Sequence, residues 1–151
     1  MKLYLAGPMS GIPAFNVPAF DALAKVLRTW GYEVVSPAEL DGPETRAAIV
    51  ASSWGNHADL PPGESWGFYL SRDIRILADE GIEAVVVLPG WAQSRGARLE
   101  TFAAKAILGL PVCTYDWKQG LIPVPIVLLV REWLGLLWAE YTTMWKAWWP
   151  R

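Results

Sequence analysis

The most constraining stretch of the chain is IEAVVVLPG, residues 82–90. Its valines form a β-branched apolar run with no polar alternation, the pattern of a strand covered on both faces. Such a strand belongs in a parallel sheet, and the flanking segments agree. KLYLAG (2–7) reads as a short buried strand ended by a Gly-Pro turn, YEVVSP (32–37) as a second strand closed by Pro37, and LPVCTYD (110–116) as a final strand. Between them, 17–31 carries apolar residues at 20, 23, 26, 27 and 30 before a stop at Gly31. Residues 65–81 read as a helix with Phe68, Ile74, Leu77 and Ala78 inward, and 97–109 as a helix ending at Gly109. This alternation predicts an α/β fold, a parallel sheet flanked by helices with right-handed crossovers.

The 151 residues suffice for one domain with a proper core. Residues 38–65 are rich in Pro, Gly, Ser and Asn and read as a long loop or lid, apart from a possible short helix at 43–51. The α/β domain is expected to span 1–118, with an apolar helical extension over 119–151. Of ten Trp, half follow residue 132. Pro123 and Pro125 break the start of this tail, and from 126 apolar residues fill most of a helix, with Arg131, Glu132, Glu140 and Lys146 on the remainder. Its uninterrupted apolar run, 121–130, is too short to span a bilayer. Three readings stay open: docking on its own domain or a twin subunit, an interfacial membrane helix, or a site for another protein. The nearly balanced charge favours docking, since membrane-surface helices normally carry a Lys/Arg-rich face.

Charge and composition narrow the function. A formal net charge of −2 argues against nucleic-acid polymers and anionic membranes as partners. One cysteine, Cys113, and one histidine, His57, exclude a disulfide framework and make a Cys- or His-based metal site an unpromising expectation; no cofactor is expected. MKLYLAGPMSG turns polar and Gly-rich too early for a secretory signal, so a cytoplasmic setting is the default.

In a parallel α/β sheet, ligands bind beyond the carboxyl ends of strands, where 7–11 and 89–96 fall. In the first loop, Gly7, Pro8, Met9, Ser10 and Gly11 combine close backbone approach with a hydroxyl. In the second, LPGW…SRGARLE, Gly90 precedes Ser94, Arg95, Gly96 and Arg98 at a helix start, where unpaired N–H groups and the helix dipole favour an anion such as phosphate. Glu100, read as part of that first turn, has an ordinary explanation as a helix cap. Asp73 has one as a solvated residue paired with Arg72, Arg75 or Arg98, and His57 reads as a loop residue.

YLAGPMSG, the RD of 72–73 and LPGW…SRGARLE, in this order, resemble the nucleoside 2-deoxyribosyltransferase superfamily over about residues 1–115. The likeness is greatest to a small-protein branch from phages and bacteria with no assigned function. The resemblance implies a flavodoxin/Rossmann-like fold that cleaves the N-glycosidic bond of 2′-deoxynucleosides or their 5′-monophosphates. It implies Glu100 as the nucleophile at C1′, Tyr4 as the residue orienting it, and Asp73 as the group that contacts or protonates the departing base. Ser94, six residues before Glu100, is similar to the monophosphate hydrolases, whereas the nucleoside transferases tend to carry Asp there. Hydrolysis of a nucleotide is therefore expected ahead of base exchange, with a non-catalytic nucleotide-binding module as the alternative. The first loop departs from the hydrolases in lacking a basic residue, and 38–65 has no alignable counterpart. The resemblance also implies a homodimer or higher oligomer.

Overall fold

A computed structural model describes residues 1–63 and 65–135. The part of the Trp-rich extension beyond 135, with Glu140 and Lys146, lies outside the described residues. Four strands, β1 (Lys2–Ala6), β2 (Glu33–Val35), β3 (Ala84–Val87) and β4 (Val112–Asp116), pair in parallel, and β5 (Gly120–Pro123) joins antiparallel to β4. The order is β2-β1-β3-β4-β5. The expected α/β architecture is present, a mostly parallel sheet with helices α1 (Val17–Thr29), α2 (Pro43–Ala51), α3 (Trp66–Asp79) and α4 (Arg95–Phe102) between strands.

Every residue of β3 is buried, as are Leu3 to Ala6 of β1, so the two form the centre of the sheet. Strand parity then sorts the side chains. Leu3, Leu5 and Val86 pack with Phe20, Ala24 and Leu27 of α1. Tyr4, Ala6, Val85 and Val87 face the other layer with Ile76, Leu77 and Ala97. This parity puts the phenol of Tyr4 on the side of α3 and α4.

From β1 the chain runs to β2 on one side, while β3 lies on the other, so the loops after β1 and β3 diverge and leave a crevice. Gly7 is needed where β1 leaves the sheet, because a Cβ there would lie 2.9 Å from Leu88 Cβ and 3.1 Å from the Phe20 ring.

Several elements differ from the sequence reading. LPVCTYD is not the last strand: Asp116 Oδ1 accepts from the amides of Lys118 and Gln119, closing a turn that returns the chain as β5. The sheet thus continues past residue 118, and helical structure resumes at 126–135. The short helix expected at 43–51 is α2, but the rest of the 38–65 segment, read as a loop, also holds a one-turn 3-10 helix, His57–Asp59. On α3 the inward side is Asp73, Ile76 and Leu77, whereas Phe68 is half exposed and Ala78 exposed. A buried carboxylate on the inner face displaced the apparent apolar stripe. The helix expected at 97–109 begins at Arg95 and passes at Ala103–Ile107 into a π-helical turn. Among the described residues no helix is long and apolar enough to cross a membrane.

Candidate active site

Ser94 is the N-cap of α4, its Oγ accepting from the Ala97 amide at 3.3 Å. Arg95 is therefore the first helical residue, and Glu100 lies in the second turn, not the first. It caps nothing: it is buried, and its partner is distant in sequence. The Tyr4 hydroxyl donates to Glu100 Oε1 at 3.2 Å from the centre of the sheet. Asp73 arrives on α3, whose N-cap is Ser65, with Oδ1 3.0 Å from Arg72 Nε. Arg72 extends to Asp41 Oδ1 at 2.6 Å, so one guanidinium holds two carboxylates at the inner wall.

Burial sets the protonation of this cluster. It pushes Glu100 up to about 8, reinforced by the charge of Asp73, against the opposing hydrogen bond from Tyr4. Asp73 is also raised, first by burial, with Arg72 pulling the other way. The Tyr4 phenol is held well above its usual value by burial and by the Glu100 charge, so it stays a donor. Both carboxyls are thus biased towards their protonated forms, and the charge of Asp73 links the titration of Glu100 to its own.

The cluster opens on a cavity at the switch point between β1 and β3. Among the sequence-predicted residues, Gly7, Met9, Ser10, Asp73, Ser94, Gly96 and Glu100 line it. Tyr4 stands behind Glu100. The others serve elsewhere. The Pro8 carbonyl accepts from Asn16 Nδ2 at 2.9 Å, and the Gly11 amide donates to the Gly55 carbonyl at 3.1 Å. Gly90 takes a left-handed conformation (φ 81°) that turns the chain after β3. Arg95 lies over the Trp66 ring at 4.8 Å. Arg98 is turned from the cavity, its Nη1 donating to the Glu132 carbonyl at 3.3 Å, and so anchors the C-terminal helix to α4.

The cavity also takes residues that sequence reasoning left aside. Arg72 and Asp41 complete the charge network, and Trp66 and Tyr69 add aromatic faces. Arg72 was visible only as a partner for Asp73. His57 lines the cavity too, with Nε2 2.8 Å from Ser10 Oγ, contrary to its reading as an ordinary loop residue.

Fold and site together define a doubly wound α/β domain with a buried tyrosine–carboxylate cluster at its topological switch point. Residues 1–114 match the family described as Domain of unknown function (DUF4406), and the chain belongs to it. No curated protein and no solved structure matches the chain.

Proposed function

We propose that the protein hydrolyses the N-glycosidic bond of a 2′-deoxynucleoside 5′-monophosphate, releasing free base and deoxyribose 5-phosphate. The observation that carries this reading is the buried run Tyr4–Glu100–Asp73 opening on the cavity. Cleaving a glycosidic bond needs a carboxylate beneath C1′, where positive charge develops, and an acid on the side of the departing base. The paired carboxyls supply both roles from one shared proton.

The proton passes from Glu100 to Asp73 as substrate excludes water. Glu100 then attacks C1′ while Asp73 protonates a base nitrogen; the C1′–N bond breaks, a glycosyl ester forms and neutral base departs. Such proton transfer contributes ~10²–10⁴-fold. Asp73, now ionised, takes a proton from the water that attacks C1′, and cleavage of the ester frees the Glu100 carboxylate. Tyr4 donates to Glu100 throughout and steadies its negative charge. Arg72 holds Asp73 in place without neutralising it permanently.

Ser94 and Gly96 favour a nucleotide over a nucleoside. The Ser94 oxygen accepts from Ala97, which leaves its proton for a phosphate oxygen, and Gly96 keeps the wall beside it open. Base exchange differs only in a second base replacing water. We assign the activity to the cytoplasm. Exposed Phe102, whose ring meets Trp133 of the C-terminal helix, and exposed Ile107 and Leu134 suit a homo-oligomer, which light scattering of purified protein tests.

The test of the activity is chromatographic detection of free base from a panel of deoxynucleoside 5′-monophosphates and the parent deoxynucleosides. Release from the monophosphates that Glu100→Gln abolishes supports the reading; absence of release from the whole panel rejects it.

A further inference from the structure

The first loop contains no lysine or arginine, yet the cavity it borders must accept a dianion if the nucleotide reading holds, and the inference here rests on that reading. Of the cationic or protonatable bases on the cavity wall, Arg72 is committed to Asp41 and Asp73. His57 is the other. It comes from the 38–65 segment, which clamps onto the first loop and the turn after it through two backbone bonds, Gly11 N–H to the Gly55 carbonyl at 3.1 Å and Ala14 N–H to the Ser52 carbonyl at 2.8 Å. A Cβ on Gly55 would lie 2.4 Å from the Ile12 carbonyl oxygen, so only glycine allows this approach. Asn56 and Ser52 brace the turn, accepting from Ala58 N–H and donating to Asp59 respectively. The imidazole stands edge-on to Phe15, with ring centres 5.4 Å apart, and tilted against Tyr69 at 6.1 Å. Its Nδ1 is buried without a partner, so the ring's chemistry is confined to Nε2, which meets Ser10 Oγ on the cavity wall.

We propose that His57 and Ser10 together form a phosphate contact on the first-loop side of the cavity, His57 supplying the basic group which that loop lacks. Ser94 and Gly96 then contact the same phosphomonoester from the start of α4. Burial holds His57 below its ordinary value. The groups around it are Phe15 and Tyr69, with Asp59 of its own turn bonded to Ser52, and Asp41, Arg72, Asp73 and Glu100 elsewhere on the cavity wall. A phosphate at Nε2 brings the counter-charge that favours the imidazolium, so binding takes up a proton and the contact strengthens as pH falls.

The test compares kcat/KM for deoxynucleoside 5′-monophosphates with that for the parent deoxynucleosides, in the wild type, His57→Gln and Ser10→Ala, at pH 6 and pH 8. The expected result is a fall in the monophosphate-to-nucleoside ratio of about 10-fold in His57→Gln at pH 6, narrowing at pH 8, with a smaller fall in Ser10→Ala. Titration calorimetry of the monophosphate in two buffers of different ionisation enthalpy gives a second readout, independent of turnover of the nucleoside. It should show proton uptake in the wild type that His57→Gln loses. Equal loss on both substrates, or unchanged proton uptake in His57→Gln, overturns the inference while the nucleotide reading stands. Wild-type protein that neither binds nor cleaves any monophosphate overturns both.

Discussion

The Tyr4 hydroxyl donates a hydrogen bond to Glu100 at 3.2 Å, across 96 positions of sequence and wholly inside the protein. Burying a carboxyl is costly. A helix cap or surface ion pair would leave Glu100 in water, so its burial beside Asp73 is the feature that a catalytic reading explains and a capping role does not. Removing the hydroxyl with Tyr4→Phe should lower kcat roughly 10-fold or more while leaving KM nearly unchanged, because the bond matters most when Glu100 is charged. Steady-state kinetics on a monophosphate check this; a change confined to KM would assign Tyr4 to substrate binding.

Glu100 also links stability to pH. Its folded value is raised to about 8 from an ordinary 4.5, so the folded state holds this proton more tightly than the unfolded state. The cost of ionising the group is absent below about pH 4.5, grows as pH rises towards 8, and levels off above it. Glu100→Gln should therefore melt at a higher temperature than the wild type at pH 8, by about 2–4 °C for each kcal/mol relieved, with the gap closing at pH 5. Thermal melts at both pH values measure it.

Asp73 is predicted to act on the leaving base. Asp73→Asn should reduce base release from ordinary monophosphates by ~10²–10⁴-fold. With a 7-methylguanine leaving group, already cationic, the loss should be far smaller. In the wild type, base release should decline as pH rises through about 8, where Glu100 gives up the proton that the reaction uses. Equal losses on both leaving groups would reassign Asp73 to a structural role.

Arg72 supports the site through two carboxylates, at 2.6 Å from Asp41 and 3.0 Å from Asp73. Arg72→Ala leaves both facing each other in a largely buried setting and should destabilise the fold by about 3 kcal/mol or more. Urea denaturation at neutral pH reads this directly.

Ser94 separates capping from phosphate recognition. Asp is as good an N-cap as Ser, so Ser94→Asp should preserve the start of α4 while repelling a dianion. The expected outcome is a loss of at least about 10-fold in kcat/KM for monophosphates, with deoxynucleosides becoming the better substrates. An unchanged preference would place the phosphate elsewhere.

Much of the fold was legible because central strands advertise themselves: Val85–Val87 and Leu3–Leu5 are apolar on both faces, and Gly31 and Gly81 mark helix ends. The motif loops at Gly7–Ser10 and Ser94–Gly96 could be placed from strand-to-helix turns alone. What escaped was what depends on pairing across the chain. The burial of Asp73 is masked by its neighbouring charges, and β5 is short, with a proline at its end. Arg98 looks like an anion ligand in sequence, but the C-terminal helix claims it. His57 sits in a segment without periodicity, and the backbone bonds Gly11–Gly55 and Ala14–Ser52, between positions far apart in sequence, bring it to Ser10.

The central claim is that Glu100 forms a covalent bond to the sugar, and mass spectrometry of acid-quenched protein mixed with a deoxynucleoside 5′-monophosphate tests it most directly. A deoxyribose 5-phosphate adduct mapped to the peptide containing Glu100, and missing from Glu100→Gln, is the predicted result. Base release that persists in Glu100→Gln, with no adduct on the wild type, would contradict it.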